Sequence, residues 1–377
     1  MQGRFMVKKT VFLLGFLPNP RMYKRIALAQ KHSDVHLICW DRGKEMQVDP
    51  REKGIACDVI RIDAGNDPIK RIIPYRRFSK SALKIIKTIR PDIIHVQGID
   101  MLKIACRYKK TVNRDTKIIY EIADLHRLLV DRQSSVSGTL AQKYLRYTDR
   151  KCSKEADLLI VTSQKYYDSY FHTFIPKEKA FYFPNVPDLS AFESYKKKTD
   201  REPFTVGYFG VIRYKNELKL LLQAVKASNT HLIIAGYEEN DHEIEMLCKG
   251  DPNVIWVGRY DFKKSAAELY GKCDCVYAVY DAEMANCRAA LPNKLYEAVY
   301  CELPIIVAAQ THVGEIVTDW GVGIPVAHDS QKEVSDALQS LKDPATYQKL
   351  VNNCRRHKRE IDLDLYNAKL IEKIQSL

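Results

Sequence analysis

The sequence predicts an α/β protein made of two parallel-sheet domains in series, and three observations carry this prediction. Short apolar runs alternate with segments of helical periodicity along most of the 377 residues. The runs are apolar throughout, as expected for strands whose two faces are both covered by helices. The alternation is interrupted at 184–204, a stretch with prolines and a charge run, and then begins again. Each half is therefore expected to be Rossmann-like.

The first domain is expected to span residues 1–190. Its strand-like runs are TVFLLGFL, VHLICW, IACDVIRI, DIIHVQG, KIIYEI, DLLIVTS and FYFPNV, with helices near 21–32, 77–89, 101–112 and 139–154. Basic residues precede the first run, as in a signal peptide, but VFLLGFL is short and meets PNPR at once. It is also far shorter than the roughly 20 residues of a membrane helix. We therefore expect a buried strand there.

A linker is placed at 191–203 and a second domain at 204–355. The strand-like runs of the second domain are FTVGYFG, THLIIAG, NVIWVG, DCVYAVY, PIIVAA and GVGIPV, with helices at 216–227, near 241–248, at 262–272 and from Pro292. Residues 356–377 are expected to form a helical tail, which could pack back on the first domain. Ligands of such sheets bind beyond the carboxyl ends of the strands, so residues that follow strands are the site candidates.

The positive charge is concentrated in the first half. Residues 1–190 have 36 basic and 20 acidic side chains, whereas residues 191–377 have 24 and 27. The segment 70–90 has eight basic residues and no acidic one, with apolar residues interleaved. This pattern is typical of a helix on an anionic membrane surface, and also of a solvated helix face. No recognition signature for nucleic acid accompanies it, so no nucleic-acid partner is expected.

Cysteine usage and the absence of nucleotide-binding motifs exclude further classes of protein. The ten cysteines lie mainly in apolar segments without a CxxC pair, which indicates reduced thiols and a cytoplasmic protein, peripheral on the inner membrane face if 70–90 binds lipid. Neither GxxxxGK nor GxGxxG opens a domain, so ATP chemistry and dinucleotide oxidoreduction are poorly supported. Asp362 and Asp364 lie in the terminal region and are interpreted as surface acids. No metal site and no cofactor are expected.

The stretch RAALPNKLYEAVYCELPIIVAA at 288–309 is the strongest local signal for a bound anion. A helix start exposes unpaired N–H groups and favours acidic side chains, yet Lys294 stands in this first turn. Glu297 lies one turn on, so Asn293, Lys294 and Glu297 can share one helix face. Phosphate beside a sugar hydroxyl would suit this face. The alternative is an ordinary helix with a solvated Lys294–Glu297 pair.

The motifs of both halves resemble those of a known family. Segments of the second half resemble the nucleotide-sugar half of GT-B glycosyltransferases, particularly retaining family 4: VGYFGVIRYKNELKLLLQA, LIIAG, NVIWVG and LPNKLYEAVYCELPIIV. Segments of the first half resemble the acceptor half of the same family: NPRMYKRIALAQKHSDVHLICWDR, PDIIHVQG, KIIYEIADLH and ADLLIVTS. The resemblance implies a GT-B fold, with two Rossmann-like domains facing across a cleft.

The resemblance also implies roles for residues that would bind the donor. Arg213 matches the phosphate-binding arginine, and Lys215 is a second candidate, although Asn216 rather than glycine follows it. Glu297 matches the second glutamate of the Glu-x7-Glu signature, which accepts hydrogen bonds from ribose. The first glutamate is replaced by Ala289, so Asn286, Arg288 or the 290–293 backbone would have to hold the sugar. The remaining donor candidates lie in loops after strands: Gly15, Gly210, Gly258, Arg259 and Tyr260.

Three residues of the first half are candidates for catalysis. Many relatives read Asp-x-His-Asp after the strand that corresponds to KIIYE, whereas this chain has Ala123 at the histidine position. His126 and His95 are possible substitutes, with structural hydrogen bonding as the alternative for each. Asp124 could orient or deprotonate an acceptor hydroxyl.

The function expected from these features is a retaining, hexosyltransferase-like glycosyltransferase. It would move a sugar from a nucleotide-diphosphate donor to an acceptor hydroxyl, and the acceptor expected is a lipid-linked saccharide in bacterial surface-polysaccharide assembly. Two alternatives stay open, a GT-B nucleotide-sugar epimerase and a non-catalytic GT-B subunit that has lost activity, for which Ala289 and Ala123 give grounds.

Overall fold

A computed structural model of the chain describes residues 7–43, 49–65, 67, 70–131, 135–239 and 241–377. The chain divides into two compact units, residues 1–183 with 365–377 and residues 184–364. All ten cysteines lie in the described ranges, and no disulfide joins them. Within the described residues, none of the helices combines the length and hydropathy needed to cross a bilayer.

The first unit contains a seven-stranded parallel sheet. Its strands are β1 (Lys9–Leu14), β2 (Asp34–Asp41), β3 (Cys57–Arg61), β4 (Ile93–Gln97), β5 (Lys117–Ile122), β6 (Leu158–Val161) and β7 (Ala180–Tyr182). The strand order is β3-β2-β1-β4-β5-β6-β7, so the direction of winding reverses between β1 and β4. Such a reversal opens a crevice at the carboxyl ends of these two strands.

In the described part of the first unit, six helices connect the strands. They are α1 (Pro20–Gln30), α2 (Ile72–Ile89), α3 (Ile99–Thr111), α4 (Arg127–Val130), α5 (Val136–Ser153) and α6 (Gln164–Ser169), with 3-10 turns at Pro50–Lys53, Phe171–Thr173 and Lys177–Lys179. α1 begins where the sequence favours a helix start, because the Asn19 side chain accepts a hydrogen bond from the Met22 N–H at 3.0 Å and Pro20 follows the cap. α2 packs beside α3, and α3 beside α5.

The second unit contains a six-stranded parallel sheet. Its strands are β8 (Thr205–Val211), β9 (His231–Tyr237), β10 (Val254–Gly258), β11 (Cys275–Ala278), β12 (Ile305–Ala308) and β13 (Gly323–Val326), in the order β10-β9-β8-β11-β12-β13. Its helices are α7 (Lys215–Ala227), α8 (Glu243–Cys248), α9 (Phe262–Gly271), α10 (Ala285–Ala289), α11 (Asn293–Tyr300), α12 (His312–Trp320), α13 (Gln331–Lys342) and α14 (Pro344–His357), with 3-10 turns at Leu189–Phe192 and Lys358–Ile361. The prediction of two parallel-sheet domains is confirmed.

The segment expected as a linker at 191–203 belongs to the second unit, which begins at Pro184. Phe192 is 2 % exposed and lies edge-on to Tyr270, with 5.1 Å between ring centroids. The Tyr195 hydroxyl donates a hydrogen bond to the Cys301 carbonyl at 2.7 Å. Phe192 and Tyr195 therefore attach this segment to the second unit. The prolines and the charge run suggested a linker because they drew attention away from these aromatic residues.

The last helix, α15 (Leu363–Gln375), lies mostly in the first unit, which takes in the chain from Leu365. Leu370 is 1 % exposed, and Tyr366 packs against Phe183 with 5.9 Å between ring centroids. The earlier part of the expected tail, including the turn at Lys358–Ile361, stays with the second unit. The expected tail is thus shared between the two units.

Candidate nucleotide-sugar site

The end of β8 and the start of α11 come together in the second unit. Gly210 has a φ of +118°, which side-chain-bearing residues rarely adopt, and a Cβ placed on it would lie 3.9 Å from Lys294 Cε. A Cβ on Gly236 would lie 1.9 Å from the Gly210 carbonyl oxygen. Glycine is therefore required at both positions, and the backbone after β8 is left accessible beside Lys294.

α11 begins without a side-chain cap and without an acidic residue in its first turn. Lys294 Nζ lies 2.6 Å from Glu297 Oε2, and the Tyr270 hydroxyl donates a hydrogen bond to the same oxygen. Glu297 is 1 % exposed, which contradicts the alternative of a solvated pair. Asn293 Oδ1 is buried, and no residue of the described chain donates a hydrogen bond to it. Lys294 and Glu297 thus contact each other on α11 as predicted. The neighbouring Asn293 Oδ1 remains able to accept a hydrogen bond.

Aromatic rings pack around this carboxylate. Tyr270 stacks on Phe209 with 4.0 Å between centroids and 16° between planes. Burial, and then the Glu297 charge, raise the pKa of Tyr270 and the pKa of Tyr260 well above the ordinary value. Both phenols therefore stay protonated and can donate hydrogen bonds. Tyr270 was not among the predicted site residues, because a tyrosine at the end of an amphipathic helix reads as a core residue.

The two basic residues after β8 have different surroundings. Arg213 is exposed, as a cation that meets an external phosphate must be. Lys215 Nζ pairs with Asp241 and lies 3.1 Å from Glu238 Oε1 and 3.5 Å from Glu243 Oε2. Three carboxylates compensate this one cation, and the diphosphate contact of Lys215 stays a prediction.

The backbone turns at the end of β10, where the loop with Arg259 and Tyr260 begins. Gly258 has a φ of +74°. The Arg259 guanidinium stacks over the Tyr237 ring at 3.7 Å from its centroid, next to the end of β9.

Ala289 stands where the family has its first glutamate, and it is 7 % exposed. The neighbouring Arg288 donates hydrogen bonds from Nη1 to the Ala282 and Glu283 carbonyls at 2.9 and 2.8 Å. The Arg288 side chain thus stabilises the loop that precedes it. This contact argues against Arg288 as the residue that holds the donor sugar in place of the glutamate absent at Ala289.

His95 lies inside the first unit. Its side chain is 3 % exposed, stacks on Phe12 at 4.7 Å and places Nε2 3.0 Å from Glu121 Oε2. Glu121 is fully buried and also pairs with Arg25 at 3.3 Å. Burial alone would raise the pKa of Glu121, but Arg25, His95 and Arg21 together lower it to about 2. His95 therefore contributes to a buried ion-pair network, which favours structural hydrogen bonding, the alternative given for it above.

Asp124 and His126 lie on the surface after β5. The Tyr166 hydroxyl lies 3.5 Å from Asp124 Oδ1. Desolvation and the positive charge of Arg71 lower the pKa of His126, so its imidazole is neutral at neutral pH. A neutral imidazole can accept a proton, which keeps His126 a candidate.

Gly15 lies at the end of β1 with its backbone close to another cation. A Cβ on Gly15 would lie 3.3 Å from Arg42 Nη2 and 3.5 Å from Met101 Cε. Burial, and then the nearby Arg71, lower the pKa of Arg42. Arg42 was not among the predicted site residues. Its position directly after β2 could have made it a candidate, because ligands bind beyond the carboxyl ends of such strands.

Comparisons with known proteins agree with this architecture. Residues 25–191 match the family described as Glycosyltransferase Family 4, and residues 191–357 match Glycosyl transferases group 1. Succinoglycan biosynthesis protein ExoL of Rhizobium meliloti (strain 1021) is 24% identical over 222 residues, 55% of this chain and 53% of ExoL. The chain therefore matches about half the length of this curated relative.

Solved structures share the fold over nearly the whole chain. The crystal structure of Anabaena HepE in complex with UDP has a TM-score of 0.74 at 15% identity, covering 98% of this chain and 100% of HepE. UDP-GlcNAc 2-epimerase from Neisseria meningitidis bound to UDP-GlcNAc has a TM-score of 0.65 at 14% identity, covering 98% and 100%. At these identities the likeness shows the fold alone. The two family matches together take in residues 25–357, and the chain belongs to the GT-B glycosyltransferases of family 4, with a second domain of the group 1 type.

Proposed function

We propose that the chain is a retaining glycosyltransferase that moves a sugar from a nucleotide diphosphate to an acceptor hydroxyl in polysaccharide biosynthesis. The observation that carries the proposal is the grouping of Lys294, Glu297 and Tyr270 beside the open backbone at Gly210. It offers a cation for phosphate and a buried carboxylate for a hydroxyl pair at one helix start. Its place at the strand ends of the second sheet suits a nucleotide.

The donor roles are assigned to the second unit. Arg213 and Lys294 neutralise the diphosphate, where a preorganised cation can contribute several kcal/mol as the leaving group departs. Glu297 accepts hydrogen bonds from the ribose, and the loop from Gly258 to Tyr260 contacts the base. No cofactor is assigned to the transfer step, because these side chains supply the positive charge that it requires.

The acceptor roles are assigned to the first unit. The acceptor oxygen forms its bond to the anomeric carbon on the face from which the diphosphate leaves, and the hydroxyl proton passes to the departing phosphate oxygen. Asp124 orients the hydroxyl, and neutral His126 is the second polar group available on the same loop. This mechanism requires little general-base strength, which makes Ala123 tolerable.

The basic first unit supports a lipid-linked acceptor at an anionic membrane surface. A groove between α2 and α3 is lined by six cations: Arg76, Lys80, Lys84, Lys87, Lys103 and Arg107. Ile72 and Ile73, at the start of α2, are 48 % and 63 % exposed. Cations beside exposed apolar side chains suit the boundary between lipid headgroups and acyl chains.

A thermal-melting panel of UDP-, GDP- and dTDP-sugars tests the donor assignment. A ligand that binds only the folded state raises the melting temperature according to RT ln(1 + [L]/Kd). We expect a shift with one class of nucleotide, and the same shift with its nucleoside diphosphate because the sugar contact lacks an acid at Ala289. The absence of any shift would support a non-catalytic subunit instead.

A nucleotide-sugar epimerase is the second candidate, because the fold is shared with the Neisseria enzyme described above. An epimerase would convert the bound nucleotide sugar with no second substrate. Incubation of the chain with the donor that stabilises it, without an acceptor, decides between the two. Formation of an epimeric nucleotide sugar would exclude the transferase assignment.

A further inference from the structure

We propose that Glu217, Asp281 and His328 form a site for a divalent cation, Zn²⁺ or Mn²⁺, on the second unit. The imidazole Nδ1 of His328 lies 3.3 Å from Glu217 Oε1 and 3.9 Å from Asp281 Oδ1. The ligand atoms of all three residues lie within 4.8 Å of one another. A tetrahedral cation with bonds of about 2.1 Å holds its ligands about 3.4 Å apart, so small side-chain movements would close the site.

The fold brings these residues together from distant parts of the sequence. Glu217 is in the first turn of α7 after β8, Asp281 follows β11, and His328 follows β13. All three strands are parallel members of one sheet, so the segments that follow them meet at one edge. The Tyr277 hydroxyl donates a hydrogen bond to the Glu217 backbone carbonyl at 3.0 Å, which fixes the start of α7 against β11.

The charge around Glu217 differs from that around three other buried carboxylates of the chain. Arg25 pairs with Glu121, Lys198 with Asp274 and Lys294 with Glu297. The Glu217 side chain is only 8 % exposed, yet among the residues that the structure describes no lysine or arginine pairs with it. A buried carboxylate without a permanent cation is costly.

A second carboxylate in the cluster increases this cost. Asp281 contributes its charge beside the same imidazole, to which it lies 3.9 Å away. Two carboxylates carry two negative charges, which one divalent cation compensates. The cation would supply the positive charge that a lysine or arginine supplies at Glu121, Asp274 and Glu297.

The donor set selects the kind of ion. Imidazole is a ligand of Zn²⁺ and other transition metals, whereas Ca²⁺ and Mg²⁺ prefer six or more oxygen ligands. Three protein ligands leave coordination positions for water or for an oxygen atom of another ligand. The Asp281 side chain is 34 % exposed and provides the route by which the ion enters.

The cation would join three loops of the second unit. The segment between β8 and Glu217 contains Arg213, and the segment after Asp281 leads to α10 and α11. Holding these segments together would order the loop that carries the exposed arginine. This role is structural, and the inference does not depend on the proposed sugar transfer.

Metal titration of the chelator-treated full chain tests the site. Mn²⁺ binding followed by electron paramagnetic resonance avoids competition from the ten thiols, and calorimetry with Zn²⁺ gives the stoichiometry. We expect one ion per chain and a higher melting temperature with either metal. His328→Ala and Asp281→Asn should each weaken Mn²⁺ binding at least tenfold and abolish the melting shift.

The matched control is His242→Ala. His242 also pairs with a single carboxylate, Glu245, at 2.8 Å, but at an exposed position without a second acid within salt-bridge distance among the described residues. Its removal should leave Mn²⁺ binding unchanged. Absence of Mn²⁺ binding to the unmodified chain at millimolar metal would overturn the inference, as would unchanged binding in His328→Ala. If His328→Ala does not fold, the partly exposed Asp281→Asn decides the question in the same way.

Discussion

Glu297 places one carboxylate oxygen between a lysine and a tyrosine in an almost fully buried position. Lys294 lies 2.6 Å from that oxygen, and Tyr270 donates its hydroxyl hydrogen to it. Removal of either partner of such a pair leaves an uncompensated charge. The residues proposed to bind the donor therefore also contribute to stability, and the two effects must be measured separately.

Glu297→Gln should weaken donor binding at least tenfold while the chain stays folded. The amide carbonyl can keep the Tyr270 hydrogen bond, but it lacks the charge that accepts strong hydrogen bonds from ribose. Calorimetric titration with the stabilising nucleotide measures the affinity, and circular dichroism checks the fold. The control is Lys332→Ala, which removes an exposed pair with Asp336 on α13. Equal affinities in Glu297→Gln and the control would remove Glu297 from the site.

Lys294→Ala should weaken donor binding and also destabilise the chain, by about 3 kcal/mol. The loss follows because Glu297 is 1 % exposed and, among the described residues, would retain only the Tyr270 hydrogen bond on its side chain. Urea unfolding measures the stability. A variant as stable as the unmodified chain would show that water reaches Glu297, contrary to its burial.

Asp149→Asn should stabilise the first unit at neutral pH. Asp149 is fully buried and accepts a hydrogen bond from Tyr120 at 3.2 Å. Burial raises its pKa from 3.8 to about 6, against the hydrogen bond from Tyr120. The folded state therefore binds more protons than the unfolded state between these two values, and stability falls as the pH rises through them.

The variant lacks this titration, so we expect its free energy of unfolding to exceed that of the original chain by about 3 kcal/mol at pH 8. Near pH 4 the difference should be close to zero. Urea unfolding at the two pH values measures it, with Asp336→Asn as the exposed control. A difference independent of pH would contradict the raised pKa.

At the scale of single elements, α5 presents a stripe of apolar and aromatic side chains to solvent. Val136, Leu140, Tyr144 and Tyr147 are between 62 % and 80 % exposed and recur at helical spacing. The one acidic residue of this helix, Asp149, is buried. The exposed charges of α5 are therefore positive, as they are on α2. The stripe and the cations together support the proposed membrane contact.

Replacing Leu140 and Tyr144 with serine should weaken binding to anionic vesicles several-fold without lowering stability. The substitutions remove apolar surface that the bilayer would bury. Sedimentation with vesicles of zwitterionic lipid, with and without an anionic phospholipid, measures the binding. Leu247→Ser on α8 is the control, because that leucine is also exposed, at 54 %, but lies in the second unit. Equal binding to neutral and anionic vesicles would remove the electrostatic part of the proposal.

At the scale of the whole molecule, the C-terminal helix completes the core of the first unit. Leu370, Ile371 and Ile374 of α15 line a cavity of about 70 Å³ together with Phe12 and Ile93. Packing of α15 therefore contributes to the stability of the first unit, although the second unit separates α15 from the rest of the first unit in the sequence.

Leu370→Ala should destabilise the first unit by about 3 kcal/mol, because it removes a buried side chain next to an existing cavity. Calorimetry should show a lower melting transition for one unit and an unchanged transition for the other. Leu365→Ala at the exposed start of the segment is the control and should change stability by less than about 0.5 kcal/mol. A shift of both transitions by the same amount would contradict the assignment of α15 to the first unit.

Short elements were the least predictable part of the fold. The helix α12 was not predicted, although Thr311 caps it by accepting a hydrogen bond from the Gly314 N–H at 3.1 Å. Its β-branched residues and glycine have low helix propensity. Gly314 is needed because a Cβ there would lie 2.6 Å from the carbonyl oxygens of Ala308 and Ala309. Packing against β12 therefore selects this helix.

The sequence by itself determined the parallel sheets and the position of α11. Fully apolar runs require covered strands, and the Lys294–Glu297 spacing on a helix fixes a shared face. Only the tertiary structure decided which charges meet. Strand order surrounds Lys215 with three carboxylates, encloses His95 beside Glu121 and joins His328 to Glu217. The physical reason is that electrostatic interactions depend on distance and burial, which sequence separation does not encode.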